Sequence, residues 1–136
     1  MPILTEEVER HITEYGVYAF IVGMYGNFDD MAKRAVIAAK QRHVSVRLSF
    51  LLPYHPAERR IEKPKEVDEL YYPDGVENTP RRYAIIKANQ KVIDKVDYLI
   101  AYVSHPASNT IRFLEYANRR EHKREIKITN IAQITG

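Results

Sequence analysis

The stretch Val17-Tyr-Ala-Phe-Ile-Val22 decides the fold of this chain. It carries no charge and is rich in residues that favour strands, which is typical of a parallel strand buried on both faces. A turn containing Gly23 follows at once, and an amphipathic pattern then runs from Asn27 to about Arg42. A buried strand, a turn and a helix in this order predict the start of a parallel α/β unit.

The same alternation continues along the chain, with one interruption. Residues Pro53 to Asn78 contain four prolines and a dense charge run, which predicts an irregular loop or lid. The remaining segments have the periodicity of strands and helices, so we expect an α/β fold with a mostly parallel sheet, in a single domain over residues 1–136. Strands are predicted at Val44–Leu52, Asp97–Val103 and Ile126–Ile131, and helices at Thr5–Tyr15, Arg81–Asp94 and Ile111–Lys123.

The beginning of the sequence departs from this pattern. A doubly wound domain normally opens with a strand that lies at the centre of its sheet. Here only Met1-Pro-Ile-Leu4 precede the first helix. Either these residues form a short strand or the sheet lacks one member. A missing member would leave unpaired strand edges, so we expect a homo-oligomer, a dimer or higher.

Composition excludes several classes of protein. Of 136 residues, 45% are apolar and 29% charged, the balance of a folded domain. The absence of cysteine excludes disulfides, zinc–thiolate sites and iron–sulfur clusters. The longest apolar runs, Val17–Met24 and Tyr98–Val103, are too short to span a bilayer, and no leader is evident, so a cytoplasmic protein without a membrane partner is expected. We expect no metal and no cofactor, because no paired-histidine helix, P-loop or dinucleotide fingerprint occurs.

A net charge of +3 gives little support for a nucleic-acid partner. The basic residues cluster only near the end of the chain, and three acidic residues interrupt that cluster. A solvated helix face explains the pattern better than a nucleic-acid interface. The cluster comprises Arg112, Arg119, Arg120, Lys123, Arg124 and Lys127.

Parallel sheets bind ligands beyond the carboxyl ends of their strands, and the turn after the first strand has suitable residues there. Gly23 and Gly26 permit close approach of the backbone, and Asn27 can cap the next helix. Asp29 falls in the first helical turn, where it favours the helix but repels phosphate. We therefore expect a hydroxyl or base site with Asp29 accepting from a ribose, although a plain strand–turn–helix fits equally well.

The turn after the third predicted strand favours an anion, unlike the turn after the first strand. Its helix starts without an acid, so free N–H groups there can bind an anion. Ser104, Ser108, Asn109 and Thr110 add small donors, and His105 can add charge. An ordinary polar turn that caps a helix is the alternative.

One helix also carries candidate ligand-binding residues. Arg82 and Asn89 are seven residues apart and share a face, and Arg82 is a candidate phosphate ligand. A surface arginine explains Arg82 equally well.

Four stretches taken together resemble the SLOG superfamily, and in particular its small stand-alone bacterial or phage members. The similarity extends from about residue 5 to the end. It implies a Rossmann-like three-layer sandwich with about four to five strands and a pocket for a nucleotide-like ligand. The stretches are Gly23-x-Tyr-Gly-Asn-Phe-Asp-Asp-Met-Ala32, Leu51-Leu-Pro-Tyr-His-Pro56, Tyr72-Pro-Asp-Gly-Val-Glu77 with Pro80-Arg-Arg82, and Asp97–Val103 with His105-Pro.

The superfamily includes the Lonely Guy phosphoribohydrolases, the DNA-processing Smf proteins and sensors of cyclic ADP-ribose isomers in antiphage defence. The resemblance and the turns together give no catalytic residue and one set of ligand-binding residues. These are Gly23, Tyr25, Gly26, Asn27, Asp29, Tyr54, Arg82, Asn89, Ser104, His105, Ser108, Asn109 and Thr110.

Two departures from the family pattern shape the functional hypotheses. The phosphoribohydrolases carry P-G-G-x-G-T-x-x-E, whereas this chain reads Ser104 to Thr110 there and has Phe113 in place of the glutamate. Similar proteins also begin with a strand ending in Gly-His, which is absent here. A protein that senses or sequesters a nucleotide-derived signal, such as a sponge for a cyclic ADP-ribose type of molecule, is therefore the first hypothesis.

Two other functions stay open. A phosphoribohydrolase-like nucleotide hydrolase would need Asp29, Glu77 or Glu115 as its acid or base. A DNA-binding, Smf-like accessory protein would use the basic final helix. The lack of the hydrolase motif favours a protein that is not an enzyme.

Overall fold

Helices and strands alternate along the computed structural model, which describes residues 2–23, 27–52, 54, 62–102, 111–122 and 126–132. Short 3₁₀ turns occur at Val76–Asn78 and Arg81–Tyr83. The longer elements are α1 (Pro2–Thr13), β1 (Ala19–Val22), α2 (Asn27–Arg42), β2 (Arg47–Leu51), β3 (Glu69–Tyr71), α3 (Ala84–Lys95), β4 (Tyr98–Ala101), α4 (Ile111–His122) and β5 (Lys127–Asn130).

All strand pairs in the described part of the chain are parallel. One sheet has the order β1-β2-β3, and a second sheet pairs β4 with β5. The predicted α/β class is therefore confirmed. The described strands form two small sheets, so the single Rossmann-like sheet of four to five strands stays a prediction.

Helices pack against both faces of two of the strands, β2 and β4. Leu48 and Phe50 of β2 pack into a cluster with α1 and α2, whereas Leu51 points the other way, toward α3. In β4, Ile100 contacts the α1–α2 cluster and Leu99 packs with α3 and α4. Because alternate side chains of a strand point to opposite faces, β2 and β4 each have helices packed against both faces.

The first helix starts earlier than predicted. It includes Pro2 and Leu4, so the alternative of a short strand before Thr5 is wrong. Proline is favoured in the first turn of a helix, where its missing N–H costs no hydrogen bond. Leu4 is 2% exposed and lies one turn before the buried Val8, which extends the apolar face of the helix into the core.

The segment predicted as an irregular loop contains the strand β3, so that prediction is wrong for residues 69–71. Asp68 holds this strand beside β2. Its Oδ2 accepts a hydrogen bond of 2.8 Å from Leu48 N and one of 2.6 Å from Lys40 Nζ. The Lys40 bond, followed by the Leu48 bond, lowers the pKa of Asp68.

A second ionic contact joins α1 to the end of α2. Glu9 accepts hydrogen bonds from the Arg42 guanidinium and, at 2.7 Å, from His43 Nε2. The hydrogen bonds from His43 and then Arg42 lower the pKa of Glu9. Together with apolar contacts between the helices, this contact fixes α1 beside α2 on one face of the strands.

Candidate functional site

A cavity of about 1390 Å³ opens between β1 and β4. The strands β1 and β4 form its two walls, residues of α1 and α2 cover one side, and residues of α3 cover the other. β1 lies at one edge of the first sheet and β4 belongs to the second sheet, and residues of both strands line the cavity. In α/β proteins, ligands bind at the carboxyl ends of parallel strands.

Four of the residues predicted from the sequence line this cavity: Gly23, Asn27, Asp29 and Asn89. Gly23 follows β1 directly, and Asn27 begins α2. Asn89 approaches from α3, where its Nδ2 donates a hydrogen bond of 2.8 Å to Ile85 O. Gly23, Asn27 and Asp29 thus lie at the carboxyl end of β1, and Asn89 lines the same cavity.

Gly23 leaves room for the carboxylate of Asp29. A Cβ atom at this position would stand 2.6 Å from Asp29 Oδ2 and 3.0 Å from its Cγ. Asp29 occupies the first turn of α2, where the helix dipole stabilises a negative charge. A carboxylate held in this way at the rim of a cavity can accept hydrogen bonds from the hydroxyls of a sugar.

Sequence reasoning missed two aromatic residues of the cavity. Phe28 of α2 and Tyr102, which follows β4, lie in a stacked arrangement with ring centroids 6.4 Å apart, and both line the cavity. The Tyr102 side chain is 39% exposed. Exposed aromatic rings beside a cavity offer a surface for the flat face of a base. The available sequence signal was an aromatic residue directly after β4 and another in the first turn of the helix that follows β1.

Two predicted residues lie elsewhere. Arg82 is exposed, and its guanidinium lies 4.9 Å from the centre of the Tyr83 ring. Tyr54 packs against an apolar cluster that contains Val76 and Ala84. Neither Arg82 nor Tyr54 lines the cavity. The other predicted site residues lie outside the described residues: Tyr25, Gly26, Ser104, His105, Ser108, Asn109 and Thr110.

Near the start of β4, the cavity contains a histidine that the sequence did not indicate. His11 is 1% exposed and lines the cavity. Its Nδ1 donates a hydrogen bond of 2.7 Å to the carbonyl oxygen of Glu7, so Nε2 is left as an acceptor, and Nε2 has no partner within the described residues. Burial lowers the pKa of His11 below its usual value, which favours the neutral ring.

Two tyrosines enclose this histidine. The rings of Tyr15 and Tyr98 are stacked with centroids 5.2 Å apart, and each meets His11 edge-on, at 5.0 Å and 5.6 Å. Lys127 Nζ donates a hydrogen bond of 2.6 Å to the Tyr15 hydroxyl. The position of His11, three residues after Val8 on the apolar face of α1, was the available sequence signal.

The three candidate acids of the hydrolase hypothesis do not meet. Asp29 lines the cavity, but Glu77 and Glu115 do not. Glu77 is exposed and its Oε2 accepts a hydrogen bond of 3.1 Å from Gly75 N. Glu115 is exposed on α4. Among the described residues, Asp29 is therefore the one of these three placed to act on a ligand in the cavity.

Comparison of the chain with models of protein families found no match, and comparison with curated protein sequences found none. Within the described ranges, no three metal-ligating side chains gather into a cluster that could hold an ion. No helix in those ranges has the length and apolar character needed to cross a bilayer.

Proposed function

We propose that this chain is a SLOG-like protein that binds a nucleotide-derived small molecule and acts as a sensor or a sequestering protein. The observation that carries the proposal is the position of Gly23, Asn27 and Asp29 at the carboxyl end of β1, on a cavity that Asn89 and the residues of β4 also line. This is the position at which α/β proteins with parallel strands bind nucleotides. A Rossmann-like arrangement with β1 and β4 in one three-layer sandwich belongs to the same proposal.

The chemistry of the rim favours the sugar and base of such a ligand. The Asp29 carboxylate can accept hydrogen bonds from a ribose diol, and Phe28 and Tyr102 offer aromatic surface to a base. The first turn of α2 carries both Asp29 and Asp30, which disfavours phosphate there. The phosphate is assigned to the turn at residues 104–110, as the sequence predicts.

Binding is favoured over hydrolysis because the described cavity holds Asp29 without Glu77 or Glu115. Acid–base cleavage of a glycosidic bond commonly uses a pair of carboxyl groups with different pKa values. A signal of the cyclic ADP-ribose type, held intact, is the concrete ligand we propose.

Isothermal titration of the full chain with cyclic ADP-ribose, ADP-ribose, AMP and NAD tests this function. We expect micromolar binding of at least one compound and a loss of tenfold or more in Asp29→Asn. Asp30→Asn is the matched control, because Asp30 does not line the cavity and pairs with Arg34 at 3.0 Å. It should bind like the parent.

Two results would overturn the proposal. One is the absence of binding below millimolar for every compound, and the other is an equal effect of the two aspartate substitutions. Chromatography of the bound compound after release distinguishes the hydrolase alternative. Recovery of intact compound supports sequestration, whereas recovery of a cleaved product refutes it.

A further inference from the structure

The side-chain amide of Asn89 has a fixed orientation. Its Nδ2 donates a hydrogen bond of 2.8 Å to the carbonyl oxygen of Ile85, one turn earlier in α3. Because a carbonyl oxygen only accepts hydrogen bonds, the amide cannot exchange its nitrogen and oxygen without losing this bond. The Oδ1 atom is therefore available as an acceptor for another molecule, and the second N–H of Nδ2 is available as a donor.

This amide is the polar part of an otherwise apolar stripe on α3. Ile85, Asn89 and Val92 line the cavity, and residues three or four positions apart lie on one face of a helix. Asn89 is partly buried, whereas Asn27, which also lines the cavity, is exposed. An unpaired polar group costs more where water cannot replace the lost partner. The amide of Asn89 is therefore better suited than that of Asn27 to discriminate between ligands.

The packing of α3 places Asn89 toward the carboxyl ends of the strands. Two residues connect the end of α3 to the start of β4, and Ile93 packs in one cluster with Leu99 of β4. The end of α3 therefore lies beside the start of β4, and Asn89 is about 9 Å back along the helix axis. Ala88 belongs to a cluster with Leu51, the last residue of β2. Asn89 thus lies toward the end of the cavity that holds the groups assigned to the ribose and the base.

The other groups at this end bind the ligand without identifying its base. The Asp29 carboxylate is assigned to the ribose, and the rings of Phe28 and Tyr102, with centroids 6.4 Å apart, offer their surface to the base. Stacking tolerates any base, because every base has a π-face. What distinguishes one base from another is the pattern of donors and acceptors along its edge. A polar side chain in the cavity is needed to read that edge.

The free donor and acceptor of the Asn89 amide match adenine. The 6-amino group of adenine can donate to Oδ1 while its N7 accepts from Nδ2, which is how asparagine recognises adenine in nucleic acids. In hypoxanthine an oxygen replaces the 6-amino group. The same contact would then bring two acceptor oxygens together and leave Oδ1 unpaired.

We propose that Asn89 selects the base of the bound nucleotide by accepting a hydrogen bond from the 6-amino group of adenine. This inference rests on the proposed nucleotide-binding function and deepens it, because it names the residue that reads the base and the group that is read. The site therefore takes an adenine nucleotide in preference to one whose purine carries an oxygen at position 6.

Isothermal titration of the full chain with matched pairs of compounds tests this inference. The pairs are AMP and IMP, ADP-ribose and IDP-ribose, cyclic ADP-ribose and cyclic IDP-ribose, and NAD and nicotinamide hypoxanthine dinucleotide. Within each pair, the 6-amino group is exchanged for oxygen. In every pair that binds, we expect the adenine compound to bind at least tenfold more tightly, which is typical of one well-placed amide contact with a base.

Two variants of α3 assign the preference to Asn89. Asn89→Leu keeps a side chain of similar size with good helix propensity, so it should keep the parent's circular dichroism. It should bind the two members of a pair within threefold of one another. Gln90→Leu is the matched control, because it removes the neighbouring amide of the same helix, which does not line the cavity. This control should keep the tenfold preference of the parent.

Nuclear magnetic resonance gives a second measurement that needs no variant. In the complex of the parent with the adenine compound that binds most tightly, we expect a nuclear Overhauser contact between the side-chain amide protons of Asn89 and H8 of adenine, the proton next to N7. The absence of this contact in a saturated complex overturns the proposal.

The titrations separate this inference from the proposed function. Nucleotide binding without a tenfold preference for adenine, or with a preference that Asn89→Leu retains, overturns the role of Asn89 and leaves nucleotide binding intact. Loss of the preference in both Asn89→Leu and Gln90→Leu also contradicts that role. No binding by any of the eight compounds overturns both proposals.

Discussion

Substitution of Gly23 by alanine tests the geometry of the candidate site directly. The added Cβ would stand 2.6 Å from Asp29 Oδ2, where an ordinary contact begins near 3.4 Å. Gly23 does not have a positive φ, so alanine meets no backbone strain there. The expected effect of Gly23→Ala therefore depends on the displacement of one carboxylate.

The magnitude follows from two opposing contributions to the free energy of unfolding. Rotation of the Asp29 side chain by about 30° out of its rotamer costs about 0.5–1.5 kcal/mol. Replacement of glycine by alanine at a compatible site gains about 0.4–1 kcal/mol through the unfolded chain. In the parent background, these two contributions nearly cancel or lower the free energy of unfolding by up to about 1 kcal/mol. In an Asp29→Ala background only the gain remains.

Urea unfolding of the parent, the two single variants and the double variant measures this difference. We expect the effect of Gly23→Ala to differ between the two backgrounds by about 1 kcal/mol, beyond the roughly 0.3–0.5 kcal/mol seen for independent sites. Nucleotide binding should weaken in Gly23→Ala along with the displaced carboxylate. An identical effect of Gly23→Ala in both backgrounds would refute the reasoning, because Asp29 would then not occupy the space beside Gly23.

Three further predictions concern buried and ionic groups. Burial lowers the pKa of His11 from 6.5, so the unfolded chain takes up the proton first. The free energy of unfolding therefore falls as the pH drops below 6.5, by at most about 1.4 kcal/mol per pH unit. His11→Phe should flatten this slope in urea midpoints measured from pH 7 to 5, and an unchanged slope would exclude His11 as its source. Asp68→Asn should cost about 1–3 kcal/mol at pH 7 by weakening the bond with Lys40. The lowered pKa of Asp68 makes this contribution fade as the pH falls below 3.8, so equal costs at pH 7 and pH 3 would contradict the assignment. Glu9→Gln weakens the contact with Arg42 and should cost about 1 kcal/mol or less, a difference that should shrink in 1 M salt if it is ionic.

Sequence pattern predicted α2 well because several local signals agree there. Asn27 can cap the helix, acids follow in the first turn, and small apolar residues recur along one face. The pattern does not identify the inner face of the helix by itself, since Val36 and Ala39 are buried whereas Ala38 is exposed. Adjacent apolar residues leave the orientation of a helix ambiguous until the packing against β2 resolves it.

Short strands were less predictable. β3 has three residues, too few for a period of two to emerge, and it follows a proline-rich and charged stretch. What defines it is the ladder with β2 and the hydrogen bond from Leu48 N to Asp68, both of which depend on partners twenty residues away. Non-local pairing of this kind leaves no trace in a local sequence window.

The candidate site was predictable at the end of one strand but not across the cavity. Gly23, Asn27 and Asp29 form a local motif, and the rule for carboxyl ends of parallel strands was enough to find them. Tyr102 and His11 were not found, because their contribution arises from burial and from elements that meet only in the folded chain. Arg82 shows the opposite error, since it lies in the 3₁₀ turn before α3, not on the same helix as Asn89 as predicted, and it does not line the cavity.

The order in which the apolar clusters are completed has a consequence for biosynthesis. The cluster around α1, α2, β1 and β2 draws nearly all its members from the first 70 residues, so it can condense while the ribosome is still adding α3. Ile131, fully buried in that cluster, is translated only after α3 and α4. The segment that contains α1, α2, β1 and β2 therefore emerges with an unfilled position in its core, which closes when Ile131 packs against it.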